Sequence, residues 1–361
     1  MNPIRNDVSR TFFGKGASSD SSPSISNGAG VKGKNIFVGL SGGVDSAVSA
    51  ALLLRAGARV TGVFIKGWYP PGMPCTWALE RRDAMRVAAR LGIPFLTLDA
   101  SAEYKKGVID YLVSEYRAGR TPNPDVMCNR EVKFGAFYHF AKEHGADAIA
   151  TGHYRAGEKD QSYFLWAVPK EVLAATIFPV GGKEKSEVRT LAKRFGLPVA
   201  AKKDSQGVCF LGSVSVEEFL KSEFGVNSGR AFDEKGNLVG KHDGVLLHTI
   251  GERIALADSR ESGPWFVLAK DIAKNEFVVG KARLSDTAPA QASISFVAAN
   301  WFDEPSRTSE AQYRYRGLRV RGHIDHDRFV TEEPLPEIPA PGQSIVFYHN
   351  GTLVGGGIIG S

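Results

Sequence analysis

The chain reads as an α/β protein: a parallel sheet flanked by helices, then a small linking domain and a C-terminal antiparallel β-barrel. Three observations carry that reading. Apolar runs of strand length alternate with helix-length segments from Asn35 to about Phe195, the texture of βαβ units. Beyond Gly212 one short helical segment gives way to turn-rich sequence. From Pro264 onward only short β-like runs remain. At 361 residues there is room for two or three domains with real cores. The expected boundaries are a disordered tail over 1–33, a catalytic domain over 34–211, a linking domain over 212–280 and the barrel over 281–361.

In chain order, Met1 to Gly33 is rich in Ser, Gly and Asn and lacks periodicity, so disorder is expected. It has no apolar core of a secretory signal, and Asp7 and Asp20 argue against an organelle transit peptide. Asn35 to Leu40 is a buried strand, and Ala47 to Leu54 a helix ending near Gly57. Arg59 to Lys66 is a second strand, followed by a Pro/Gly-rich loop. A helix over about Thr76 to Leu91 is closed by Gly92 and Pro94. Phe95 to Leu98 (strand), Glu103 to Tyr116 (helix), Val132 to His144 (helix) and Ala146 to Thr151 (strand) continue the alternation. Ser186 to Phe195 and Val216 to Phe224 are helices. The later strands are Trp265 to Ala269, Glu276 to Val279, Gln291 to Ala299, Gln312 to Ile324 and Ser344 to His349. Ligands of a parallel sheet sit beyond the carboxyl ends of its strands. Ser41, the loop after Lys66 and Gly152 to Tyr154 all fall on that edge.

The formal net charge of +6 and pI near 9.1 fit an anionic partner, although charge alone adds little. No apolar run approaches transmembrane length, so no membrane partner is expected. Cys75, Cys128 and Cys209 are an odd count at wide spacing, neither a disulfide framework nor a zinc pattern. That usage suits a reducing, cytoplasmic setting with reactive thiols.

Ser41-Gly42-Gly43-Val44-Asp45-Ser46 stands between the first strand and the first helix. Two glycines let the backbone turn its N–H groups toward one point. Ser41 and Ser46 add hydroxyls, and the helix N-terminus adds unpaired N–H groups and a favourable dipole. This is a phosphate cradle. The G-x-x-x-x-G-K-[ST] pattern is absent, so γ-phosphate transfer is not its natural chemistry. The stretch resembles the PP-loop of ATP pyrophosphatases of the adenine nucleotide α-hydrolase-like fold. In those proteins a nucleophile attacks the α-phosphate and is left adenylated. The bland alternative is an ordinary Gly-rich strand–helix turn.

Arg120-Thr-Pro-Asn-Pro-Asp-Val-Met-Cys-Asn-Arg130 is read as a rigid, extended loop fixed by two prolines, with Cys128 three residues after a carboxylate. Arg120, Arg130 and Lys133 are close enough in sequence to favour a thiolate. Cys209 sits in a polar Gly-containing loop after Lys202 and Lys203. Both thiols are therefore expected to be functional, whereas Cys75 reads as a small buried hydrophobe.

These motifs together resemble the tRNA-specific 2-thiouridylase family. Ser-Gly-Gly-Val-Asp-Ser, Gly119-Arg-Thr-Pro-Asn-Pro-Asp-x-x-Cys-Asn129, Ala150-Thr-Gly-His-Tyr154, Asp160-Gln-Ser-Tyr-Phe-Leu165 and Asp204-Ser-Gln-Gly-Val-Cys-Phe210 match in family order. So do His248-Thr-Ile-Gly251, Pro341-Gly-Gln-Ser344 and Gly355-Gly-Gly-Ile-Ile359. The resemblance implies ATP binding by Gly39, Leu40, Ser41, Gly42, Gly43, Val44, Asp45 and Ser46, with Ile65 near the adenosine and Gly152 beside it. It implies Mg²⁺ on the phosphates, a persulfide on Cys209 loaded by a sulfur-donor protein, and Cys128 as its partner. Asp125 is implied as the general acid/base. Asn123, Pro124 and Asp125 would meet the target base, and His153, Lys159, Asp160, Gln161, Arg314, Tyr315 and Gln343 would contact tRNA. A monomer is expected. The chain departs from the family in the short Arg155–Lys159 link and at Glu252, Ile254 and Ala255.

Arg314, Arg316, Arg319 and Arg321 fall within one expected strand. Residues two apart share a face, so they form two pairs on opposite faces unless Gly317 supplies a bulge that gathers a phosphate-binding stripe. An edge strand protected by Arg is the alternative. Rival functions are another PP-loop ligase, which needs no cysteine pair, a tRNA-binding protein without catalysis, and an iron–sulfur site on the cysteines.

Overall fold

The computed structural model describes residues 30–70, 76–203, 214–259, 261–282, 292–335 and 337–360. β1 (Asn35–Gly39), β2 (Arg59–Lys66), β3 (Phe95–Asp99), β4 (Ala148–Ala150) and β5 (Thr176–Ile177) form a parallel sheet in the order β3-β2-β1-β4-β5. The first three strands are laid down in one direction and the last two on the other side of β1. The reversal leaves a crevice at the carboxyl ends of β1 and β4.

Strand alternation decides what covers each face. Ile36 and Val38 of β1 join one core with α1 (Val44–Arg55), α2 (Trp77–Leu91) and α8 (Lys185–Arg194), through residues such as Leu53, Val87 and Leu191. Phe37, between them, points to the opposite face and packs in the core of Phe134, Phe137 and Ile149. α1 begins at Val44, inside the Ser41–Ser46 motif and three residues before the expected start. Val44 is buried and anchors that first turn. The expected tail also ends early, because Val31 is 5% exposed and belongs to the first core.

The helices on the Phe37 face are longer than expected. α3 (Ser101–Tyr104) passes through a π-helical stretch (Lys105–Asp110) into α4 (Tyr111–Arg117). α5 (Pro124–Cys128) passes through a second such stretch (Asn129–Ala136) into α6 (Phe137–Glu143). Two glycines allow these wide turns to form and to meet. A Cβ on Gly135 would lie 2.6 Å from the Arg130 carbonyl oxygen, and one on Gly107 would lie 2.5 Å from Glu131 Cγ. α7 (Lys170–Ala174) and β5, too short to show a period, were not expected.

α9 (Val216–Phe224) opens on a capping box between Ser215 and Glu218 and docks Phe219 and Leu220 into the core of α3 and α4. A second sheet follows: β6 (Gly229–Phe232), β7 (Leu238–His242), β8 (Arg253–Ile254), β9 (Trp265–Asp271) and β10 (Glu276–Gly280), ordered β7-β6-β10-β9-β8. A turn at Asp233 to Asn237 links β6 to β7, with the Asp233 carboxylate accepting from the Lys235 and Asn237 amides.

β11 (Ser293–Trp301), β12 (Glu310–Gln312), β13 (Val320–Asp325), β14 (Arg328–Thr331), β15 (Ser344–His349) and β16 (Thr352–Ile359) close a barrel in the order β11-β14-β13-β12-β15-β16. The single strand expected over Gln312 to Ile324 is instead the end of β12, a turn, and β13. Arg316 takes φ +61° within the turn, and the two strands return antiparallel. Arg314, Arg316 and Arg319 therefore stand on a turn, not on a strand face. Arg314 pairs with Glu337, Arg319 approaches Glu310 at 3.8 Å, and Arg321 pairs with Glu333 at 2.6 Å.

Barrel and parallel-sheet domain are joined through Trp166. Its side chain is 1% exposed and meets the Gly356 backbone, where a Cβ would lie 2.6 Å from Trp166 Cγ. The Asn300 amide donates to the Trp166 and Val168 carbonyls at 2.7 and 2.9 Å, and the Tyr163 hydroxyl donates to the Ser344 carbonyl at 2.9 Å. Among the described residues no helix is long and apolar enough to cross a membrane. Trp166→Ala is expected to cost about 3–5 kcal/mol of stability, read as a lower urea midpoint.

Candidate active site

The crevice between β1 and β4 is lined by the glycine loop. Gly42 adopts φ +73°, and a Cβ there would lie 2.4 Å from the Glu80 carbonyl oxygen of α2. Gly43 is the extended residue ahead of α1. The two serines brace the turn: Ser46 Oγ accepts from the Ser41 amide at 3.2 Å, and Ser41 Oγ accepts from the Gly43 amide at 3.3 Å. From the far side Gly152, just after β4, comes so close that a Cβ would lie 2.7 Å from the Ser46 nitrogen. Gly39, Leu40, Ser41, Asp45, Ser46, Ile65 and Gly152 border one cleft of about 220 Å³, together with Glu80, Lys133, Phe137, His153 and Gln161. The residues proposed for a nucleotide thus converge from three strand ends. Val44 points instead into the core.

Sequence reasoning missed Lys185. Its ammonium donates to both Asp45 oxygens, at 2.7 and 2.8 Å, and the Tyr154 hydroxyl donates to Asp45 at 2.7 Å. Lys202 donates to the Gly42 carbonyl at 3.1 Å and to Asp83 at 2.8 Å. Neither lysine belongs to a local motif, and only the fold brings Lys185 back across 140 positions.

The segment before Cys128 departs from the extended loop expected of it. Asn123 is a helix N-cap whose side-chain oxygen accepts from the Asp125 and Val126 amides at 3.2 and 3.3 Å, and Pro124 occupies the first helical position. Asn-Pro-Asp is thus a helix start, a signal present in the sequence and read as a turn. Asp125 and Cys128 are three apart on α5 and share a face. Asp125 is half-buried, whereas Cys128 is 1% exposed in the core of Tyr104, Val108 and Val132. The expected cationic setting is also revised. Arg120 is engaged by Glu115 at 2.6 and 2.5 Å and Arg130 by Glu131 at 2.6 Å, while Lys133 faces the cleft. Cys75 and Cys209 lie outside the described residues.

The tRNA-contact candidates divide. His153 and Gln161 line the glycine-loop cleft. His153 Nδ1 lies 2.9 Å from Thr151 Oγ1, and Gln161 accepts from the Tyr154 amide at 3.0 Å. Desolvation, helped by Lys133, pushes the His153 pKa down to about 3, so the imidazole is neutral at physiological pH. Asp160 and Tyr315 meet across a second cleft of about 210 Å³ with Arg316 and Arg319, and Tyr315 packs on Phe164 at 4.4 Å. Lys159 closes a short turn just ahead of Asp160. Gln343 donates to the Thr121 carbonyl at 2.7 Å, while the Thr121 amide donates to the Pro341 carbonyl at 2.8 Å, so the barrel holds the loop entering α5. Glu252, a departure from the family pattern, bonds His248 at 3.0 Å and the Thr249 amide at 2.8 Å.

Comparison with known proteins covers nearly the whole described chain. Residues 34–213 match the tRNA methyl transferase HUP domain, 217–281 the tRNA methyl transferase PRC-barrel domain and 291–359 the aminomethyltransferase beta-barrel domain. The tRNA-specific 2-thiouridylase MnmA of Pseudomonas aeruginosa is 41% identical over 355 residues, covering 90% of this chain and 94% of that protein. Its namesake from Hahella chejuensis is 39% identical over 367 residues, covering 91% and 98%. A solved 4-thiouridine synthetase–RNA complex with bound ATP is 25% identical with a TM-score of 0.34, covering 53% of this chain and 49% of that one.

The depressed His153 pKa has a measurable consequence. Above pH 6.5 the ring is neutral folded and unfolded. Between 6.5 and about 3 only the unfolded chain takes up the proton, so stability falls as pH drops. His153 should contribute a slope of at most about 1.4 kcal/mol per pH unit in that window. Denaturation of His153→Gln across it should show a slope smaller by one proton.

Proposed function

This chain belongs to the tRNA-specific 2-thiouridylase family, and on that basis we propose that it thiolates C2 of the wobble uridine of tRNA at the expense of ATP. The observation that carries this reading is that the helical segment bearing Asp125 and Cys128 continues to the cleft lined by the glycine loop. The helix that starts with Asp125 and Cys128 runs on to place Lys133 and Phe137 opposite Ser41, Ser46 and Gly152.

The chemistry requires both halves. A uridine C2 carbonyl is a poor electrophile with a poor leaving oxygen. In the proposed sequence O2 attacks the α-phosphorus of ATP, an O–P bond forms, and pyrophosphate leaves with the electron pair of the broken bond. Sulfur then adds at C2 and AMP departs with the former O2. The Ser41–Ser46 loop and the N-terminus of α1 hold the phosphates, and Ile65 flanks the adenosine. Asp45 and Ser46 offer hard oxygen ligands to the same cleft, which suits Mg²⁺; when bound it would neutralise phosphate charge. Asp125, half-buried beside the helix N-terminus, is the proposed proton carrier.

Cys209 is proposed to receive a persulfide from a donor protein. Cys128 either attacks its inner sulfur, forming a Cys128–Cys209 disulfide and releasing hydrosulfide, or closes that disulfide after transfer. Asn123, Pro124, Asp125, Lys159, Asp160, Arg314, Tyr315 and Gln343 are the proposed tRNA contacts. The target base must leave its stack to reach Asp125.

Nucleoside mass spectrometry on unmodified tRNA with Mg-ATP and a sulfur source should show a sulfur-for-oxygen exchange at the wobble uridine that requires ATP. Cys128→Ser and Cys209→Ser should each lower persulfide-dependent exchange at least about 100-fold. Unmodified uridine despite AMP release would favour a different PP-loop ligase. Gly152→Val should weaken ATP binding about tenfold or more by crowding the Ser46 amide, which calorimetry can measure.

A further inference from the structure

A triphosphate brings several negative charges into a cleft whose anchoring loop has no lysine, and backbone N–H groups and serines supply only partial charges. Among the described residues lining that cleft, Lys133 is the one cationic side chain. Asp45 and Glu80 there are acidic, and His153 is neutral. Lys185 does not line the cleft and donates two hydrogen bonds to Asp45.

Lys133 lies five residues beyond Cys128, within the π-helical stretch Asn129–Ala136. In a regular α-helix residues three or four apart share a face, and residues five apart do not. Bonding from i to i+5 widens the turn and brings position 133 back toward the face of position 128. Gly135 permits that turn, since any side chain there would meet the Arg130 carbonyl at 2.6 Å. Gly107 lets the neighbouring π-helical stretch pack against it at Glu131. The irregularity is therefore built in by two glycines, and its consequence is a lysine delivered to the nucleotide cleft by the helix that carries Asp125 and Cys128.

We infer that Lys133 is a further catalytic residue, whose ammonium contacts the α-phosphate of the bound nucleoside triphosphate. There it stabilises the charge that develops as the uridine oxygen bonds to the α-phosphorus and pyrophosphate leaves with its electron pair. This rests on the ATP-dependent thiolation proposed above.

The full chain and its Lys133→Met and Lys133→Arg variants are compared in two assays: calorimetric binding of a non-hydrolysable ATP analogue, and pyrophosphate release from ATP with unmodified tRNA at saturation. Lys133→Met should bind the analogue within about threefold of wild type yet release pyrophosphate about 100- to 1,000-fold more slowly. Lys133→Arg should recover at least about tenfold of that loss. Unchanged release by Lys133→Met overturns the inference, and so does a loss carried wholly by analogue affinity. If wild type itself releases no pyrophosphate, the parent reading fails instead. Should Lys133→Met melt more than about 5 °C below wild type, Lys133→Gln, which is uncharged but keeps a hydrogen-bond donor, replaces it with the same expectations.

Discussion

The Gly152 backbone rests against the Ser46 amide at a distance that excludes any side chain, and most of the site follows from that contact. It arises because β4 is laid on the opposite side of β1 from β2, so the loop after β4 crosses the N-terminus of α1. Tyr154 and Lys185 then fix Asp45 at the edge of the crevice. A larger residue at 152 would part β4 from α1 and open the cradle before any ligand arrived.

The second half of the site is a helix whose first turn is held from outside its own domain. The loop entering α5 is gripped by Pro341 and Gln343 of the barrel, by Thr249 through a hydroxyl contact at 3.1 Å, and by Lys270, which donates to the Gly119 and His248 carbonyls at 3.4 and 2.7 Å. Burial lowers the Lys270 pKa to about 8. A loop held by three parts of the chain gives the linking domain and barrel a mechanical connection to Cys128.

Legibility in the sequence followed period and local chemistry. The parallel sheet, the order of its helices and the change to β structure after Gly212 were readable because alternation and helix-length runs are local signals. Asn123-Pro124-Asp125 carried a helix-cap signal that two prolines made look like a turn, so Cys128 was expected in a polar loop and is found in a core. Arg314, Arg316 and Arg319 looked like strand positions because β-propensity does not reveal where a hairpin reverses. Lys185 was not identifiable as a site residue, and Lys133 was read as a neighbour of the Cys128 thiolate and not as a cleft residue, since tertiary closure and a π-helical register decide where they point.

The central claim is that uridine oxygen, not water or pyrophosphate, takes the adenylyl group. It is tested most directly by supplying tRNA labelled with ¹⁸O at C2 of the wobble uridine and weighing the AMP released during thiolation. The account predicts AMP heavier by one ¹⁸O for each 2-thiouridine formed. Unlabelled AMP accompanying thiolated tRNA would contradict it.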